Sequence, residues 1–142
     1  MKYMFLTYLD EKAWAALTEG DQQQLMAGCT PHVEQLIASG KFLDGAPLHP
    51  TSTATTVRLR DGKRLVTDGP FAETREQLGG YTLVDAVDLD EAIAIAAGFL
   101  GTAFPSMIEI RPVVELTAMP KPAGAAGSAR EDPGPAGFAA RS

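Results

Sequence analysis

The chain has 142 residues, 45% hydrophobic and 21% charged, with a formal net charge of −6, which suits one domain with its own core. Residues 1–117 carry nine Lys and Arg against sixteen Asp and Glu. This balance argues against general phosphate-backbone binding, so no direct nucleic-acid partner is expected. The single cysteine, Cys29, rules out an internal disulfide and reads as a small buried hydrophobe.

Lys2 to Tyr8 sets Tyr3 and Phe5 against Met4, Leu6 and Tyr8, which predicts a strand covered on both faces. The same stretch is too short, and too polar at Thr7, for a signal h-region, and no apolar run approaches the ~20 residues of a membrane span. A cytoplasmic protein without a membrane partner is expected. Leu9 to Leu17 has no clear form, with Trp14 packing back on the sheet. Thr18 or Asp21 then caps a helix carrying Leu25, Met26, Cys29, Val33, Leu36 and Ile37 at helical spacing. Pro31 interrupts it, giving either a kink or a second helix with Thr30 as N-cap and Pro31 at N1. His32 follows the break on the core side or its edge. Its simpler role is a partly buried histidine with one backbone partner; its chemical role is a neutral imidazole at a helix start, available as a base.

Ser39-Gly40 ends this helix, and Lys41 to Leu48 reads as a short strand interrupted at Asp44-Gly45. His49, before Pro50, is a surface histidine. Thr53 to Thr67 is a hairpin about Asp61-Gly62, a pair suited to a two-residue type I′ turn. That turn fixes the register: Arg60 faces Lys63, Leu59 faces Arg64, Arg58 faces Leu65, Val57 faces Val66, and Thr55 reaches Asp68. The cations discourage edge pairing or, in a functional reading, meet a carboxylate ligand or an acidic protein.

The second arm delivers Asp68-Gly69-Pro70, a stiff turn. Phe71 is expected to enter apolar surface and anchor it, leaving Glu73, Arg75 and Glu76 to start a polar segment. Gly79-Gly80 marks a bulge or a close backbone contact ahead of a strand from Tyr81 to Ala86, with Tyr81 half-buried. Asp88 and Glu91 form an acidic capping box. Leu89, Ala92, Ile93, Ala96, Ala97 and Leu100 are expected to form the buried stripe of the helix it opens. Met107 to Val114 is the last strand, with Pro112 at an edge or end. Residues 118–142, 16 of 25 being Ala, Gly or Pro, read as a disordered tail.

The order strand, helix, strand, hairpin, strand, helix, strand predicts an α+β fold of the ferredoxin-like split βαβ kind, with both helices on one face of an antiparallel sheet. A second copy is the simplest cover for the other face, so a homodimer is expected. Two histidines without ligand spacing make no zinc signature, and no metal or cofactor is expected.

The runs Thr53-Ala54-Thr55-Thr56-Val57-Arg58, Asp61-Gly62 and Thr67-Asp68-Gly69-Pro70-Phe71-Ala72-Glu73 through Gly80-Tyr81 resemble the signature of the DGPF-domain branch of the YCII-related proteins. Met1-Lys2-Tyr3-Met4 and Glu109-Ile110-Arg111-Pro112 extend the resemblance over roughly residues 1–115. It implies a dimeric α+β barrel of ferredoxin-like subunits. The wider group includes members proposed to use a His–Asp pair in dehalogenating or isomerising reactions on small aromatic or enol substrates. His32-Val33-Glu34-Gln35-Leu36 is similar to the context of that His, and Asp68 is the nearest match to the Asp. DGPF proteins are also often encoded beside extracytoplasmic-function sigma factors.

Two functions follow as expectations. The first is a cofactor-free lyase, isomerase or dehalogenase-like enzyme, or a binder, of a small anionic or enol ligand. His32 would be its acid or base and Asp68 would orient it. Glu73 is a reserve carboxylate, Arg58 or Arg75 an anion clamp, and Phe71 and Tyr81 line the ligand. The second is a regulatory module contacting a sigma factor through its basic hairpin or tail.

Overall fold

The computed structural model describes residues 1–101 and 104–116. Segment 118–142, with its expected disorder, lies outside them. Strand β1 (Lys2–Leu9) buries Tyr3 and Phe5, but Met4, Leu6 and Tyr8 are only half-buried. The stretch from Leu9 to Leu17 contains a one-turn helix, α1 (Glu11–Ala15), where the Asp10 carboxylate accepts from the Lys12 and Ala13 amides at 3.0 and 3.2 Å. Trp14 meets Phe104 edge-on with ring centres 5.3 Å apart. Thr18 caps α2 (Glu19–Ala27), accepting from the Asp21 amide. Pro31 opens a second helix, α3 (Thr30–Ala38), and the cap position falls on Cys29, one residue earlier than the sequence suggested.

Strand β2 (Phe42–Pro47) leads through a short 3-10 turn (Thr51–Thr53) into β3 (Thr55–Arg60) and β4 (Lys63–Asp68). Strand β5 (Gln77–Asp85), helix α4 (Leu89–Phe99) and strand β6 (Ser106–Pro112) follow. The main sheet runs β2–β5–β1–β6 with antiparallel neighbours throughout. Strand β5 therefore lies between β1 and β2, and β1 lies between β5 and β6, which is the split βαβ arrangement of a ferredoxin-like fold.

One face of this sheet makes the core. Tyr3, Phe5 and Val84 meet Leu36 of α3 and Ala92, Ile95 and Ala96 of α4. Phe5 and Val84 are fully buried, each contributing roughly 1.5–3 kcal/mol by leaving water. Helix α4 starts at Asp88, whose carboxylate accepts from the Glu91 amide at 2.9 Å. Glu91 accepts in turn from the Val87 amide at 3.3 Å and pairs with Lys41 at 3.1 Å. Its buried stripe is Ala92, Ile95 and Ala96, with Phe99 edge-on to Phe5 at 6.3 Å. The expected stripe is corrected here, since Leu89, Ile93 and Leu100 are 41–50% exposed. The segment is apolar on nearly every side, so periodicity alone does not choose its face.

The other face of the sheet carries no helix core. Register places Met4 beside Leu83 and Leu6 beside Tyr81, with Asp44 and Ala46 next to them on β2 and Glu109 and Arg111 on β6. The expectation that β1 is covered on both sides is thus met on one side only by the described residues. Between Thr7, opposite Gly80, and Tyr8, opposite Leu78, the register shifts and Gly79 becomes an extra residue. A side chain there would approach Leu9 Cδ2 to 2.9 Å, and one on Gly80 would reach the Ala46 carbonyl at 3.2 Å. The glycine pair is both a bulge and a close contact.

Strands β3 and β4 form a separate two-stranded sheet in the register fixed by the turn, from Arg60 opposite Lys63 to Thr55 opposite Asp68. Asp61 and Gly62 take φ of 51° and 76°, the left-handed pair a type I′ turn requires. Nearly every residue of this arm is exposed, including Val57 (56%) and Leu59 (77%).

Candidate functional site

His32 sits in the helix layer. Its Nε2 lies 2.9 Å from the Ile95 carbonyl, its ring is edge-on to Phe99 at 4.7 Å, and it covers Gly98 where a side chain would otherwise stand. Because a carbonyl only accepts, Nε2 is the donor in this contact, so that any lone pair of the ring is on Nδ1. His32 of α3 and the cap residue Cys29 thus both meet the C-terminal part of α4: His32 at Ile95 and Cys29, whose thiol faces the Phe99 carbonyl at 3.8 Å. Cys29 is half-buried, consistent with a small apolar filler.

Asp68 lies at the end of β4, exposed and opposite Thr55. Among the described residues no hydrogen bond joins it to His32, whose ring partners are all on α4. The turn after it is held from the arm: Gly69 donates to the Ala54 carbonyl at 2.7 Å, Thr56 Oγ1 to the Gly69 carbonyl at 2.7 Å, and Arg58 Nη2 to the Phe71 carbonyl at 3.2 Å. Gly69 has φ of 95°, a conformation that favours glycine. Arg58 therefore fastens the loop through its backbone. Phe71 is not the anchor expected, being 78% exposed, because the described residues offer no apolar surface at that place. Glu73 and Arg75 are exposed too, with no ion pair among the described residues.

Tyr81 is half-buried on the open face of the sheet. Its hydroxyl donates to Asp44 Oδ2 at 3.3 Å, longer than the usual 2.7–2.8 Å of such a bond. Asp44 Oδ1 also accepts from the Gly45 amide at 2.8 Å. Leu6, Leu83 and Ala46 surround the pair in the register of the sheet. At the far edge a shallow depression of about 320 Å³ is lined by Tyr8, Glu76, Met107, Ile108 and Glu109. Among the described residues no group of three or more His, Cys, Asp or Glu is placed to hold a metal ion, and no helix is long and apolar enough to cross a membrane.

The sequence-predicted residues thus divide among the helix layer (His32), the arm and its loop (Arg58, Asp68, Phe71, Glu73, Arg75) and the open sheet face (Tyr81). Sequence reasoning missed Asp44, because an Asp-Gly step inside a short strand looks like an interruption. It also missed Glu11, whose carboxylate accepts from the Thr51 amide and hydroxyl at 2.9 and 2.6 Å and ties α1 to the root of the arm. Gln77 completes that root, accepting from the Glu11 amide and donating to the Thr74 carbonyl.

A family model described as the YCII-related domain matches residues 1–117. An uncharacterised protein of Rhizobium meliloti (strain 1021) is 38% identical over 115 residues, covering 80% of this chain and 92% of that protein.

Proposed function

The chain belongs to the YCII-related family, and on that premise we propose that it works as a cytoplasmic homodimer binding a small, apolar-bodied enol or phenol on the open face of its sheet. The observation that carries this reading is the Tyr81–Asp44 hydrogen bond, set beside Leu6, Leu83 and Ala46 on the open face and separate from the Arg111–Glu109 pair at its β6 edge. A ligand hydroxyl donates to Asp44 while its oxygen accepts from Tyr81, replacing a contact that is already long. Pairing a carboxylate acceptor with a phenol donor is also what proton transfer on an enolisable ligand requires. A second copy laid over the face removes Met4, Leu6 and Leu83 from water and leaves the pair in a dry chamber, where hydrogen bonds discriminate most strongly between ligands.

The test uses 4-nitrophenol as probe, followed by amide chemical shifts of the full chain. Shifts are expected at Asp44, Tyr81 and Leu83, with affinity weakened about tenfold in Tyr81→Phe, equivalent to ~1.4 kcal/mol for the loss of one hydrogen bond. Shifts confined to other surfaces, or a Tyr81→Phe chain that binds as well as the parent, would overturn it. A second reading rests on His32, since the bond from Nε2 to Ile95 leaves Nδ1 as an oriented base. In that reading His32→Ala abolishes turnover of an enolisable ligand, and Asp68→Asn reduces it if a second copy brings Asp68 to the ring.

A further inference from the structure

The arm is the least explained part of the molecule. It is a hairpin of two six-residue strands, about 20 Å long at 3.4 Å per residue, and a hairpin of this kind is marginal in water without cover. Three features describe what would cover it. One face, formed by Val57, Leu59 and Val66, is apolar and 44–77% exposed. Arg58, Arg60 and Lys63 point to the opposite face and Arg64 flanks the first, so residues 55–68 carry four cations against Asp61 and Asp68. Within residues 1–117 everything outside the arm holds five cations and fourteen anions. The arm is thus a basic element on an acidic body.

We propose that the β3–β4 arm is a clasp between two copies of this chain, seated in the other copy's depression between Tyr8, Glu76, Met107 and Glu109. The seat matches the face that carries Val57, Leu59, Val66 and Arg64, offering an apolar floor in Tyr8 and Met107 and two carboxylates, Glu76 and Glu109, the second already paired with Arg111 at 2.8 Å. No side chain of the chain's own arm lines it. The depression lies at the sheet end where β5 begins and β6 starts beside Leu9, the same end from which the arm leaves. Exchange between copies therefore covers both arms and both depressions at once, as a closed two-fold contact does. Phe71, held out by Arg58 at the base of the arm, gains an apolar surface that the described residues of its own chain do not supply. The inference rests on the homodimer reading above and adds a contact made by different residues from those of the open-face pair.

The test is a cysteine pair in the full chain carrying Cys29→Ala. Leu59→Cys and Met107→Cys fall at exposed positions, 77% and 51%, so the fold tolerates both. Mild oxidation is expected to give a reducible band of twice the chain mass in the double variant and in a mixture of the two single variants, but in neither single variant alone. Only chain-sized bands, or equal doubling in the single variants, would refute the clasp. Sedimentation of the parent chain separates the two ideas. A dimer that gives no cross-link overturns the clasp and leaves the open-face homodimer standing; a monomer at tens of micromolar overturns both. Arg64→Glu, on the seated face beside Leu59, is further expected to weaken self-association about tenfold at low salt, with the difference shrinking as salt is added. An unchanged dissociation constant in that variant would also overturn the clasp.

Discussion

Replacing Gly98 by alanine asks what holds α3 to α4. A Cβ at this position would stand 2.8 Å from His32 Nδ1 and closer still to Cε1 and Nε2. The helix backbone is fixed by its own hydrogen bonds, so the ring has to leave. It would lose the bond to the Ile95 carbonyl, worth about 1 kcal/mol net, and the edge-on contact with Phe99, worth about 1 kcal/mol. Alanine returns about 1 kcal/mol through helix propensity, so Gly98→Ala should destabilise the chain by about 1 kcal/mol. In a His32→Ala background the ring is already gone and only the propensity gain remains. The same substitution should then stabilise by about 1 kcal/mol, a coupling of about 2 kcal/mol between the sites. Urea unfolding of the four chains, followed by far-UV circular dichroism at one protein concentration, measures it. If Gly98→Ala has the same sign in both backgrounds, His32 does not rest on that glycine and the geometry of the helix layer is wrong.

Asp88→Ala should cost about 1 kcal/mol by freeing the Glu91 amide at the start of α4, whereas Asp88→Asn, which still accepts, should cost a few tenths; thermal unfolding of the two variants side by side checks the contrast. Glu11→Ala removes both bonds to Thr51 and should lower stability by about 2 kcal/mol, with faster amide exchange at Thr51 and Ala54 where the arm is rooted. Exchange unchanged at those amides would show that Glu11 does not brace the arm. Leu6→Asp with Leu83→Asp should leave far-UV circular dichroism intact while shifting sedimentation toward the monomer, because both side chains lie on the face without a helix core.

The hairpin was legible residue by residue, because a two-residue loop with Asp61 and Gly62 at positive φ leaves one register open. The strand order was legible from the order of elements, because the split βαβ arrangement follows from short connections and a single covered face. What failed to show was orientation. In α4 nearly every position is apolar, and the choice of Ile95 and Phe99 over Leu89 and Ile93 was settled by the aromatic contact with Phe5, which no local period encodes. Phe71 announced a need for burial without saying whose surface would supply it. The candidate site was legible only in its inventory. Sequence spacing singled out His32, Asp68 and Tyr81, but which of them meet depends on strand pairing, and pairing gave Tyr81 to Asp44, a residue whose neighbour Gly45 had disguised it.

The extra residue at Gly79 has a consequence for how this chain tolerates change in length. Strand β5 counts in twos from Asp85 to Gly80, and then the bulge advances the count by one, so that Leu78 rather than Gly79 shares a side with Tyr8. Delete that glycine and Leu78, now next to Gly80, still falls opposite Tyr8 in a regular ladder; delete Leu78 as well and Gln77 moves opposite Tyr8, onto the other side of the pleat, while Glu76 and everything it leads back to inherit the reversed phase. Residues could be gained or lost in the loop from Gly69 to Glu76 and be absorbed locally. Between Gln77 and Gly80 the bulge holds one residue in reserve, and beyond that one the number of residues decides toward which side of the sheet the hairpin is thrown.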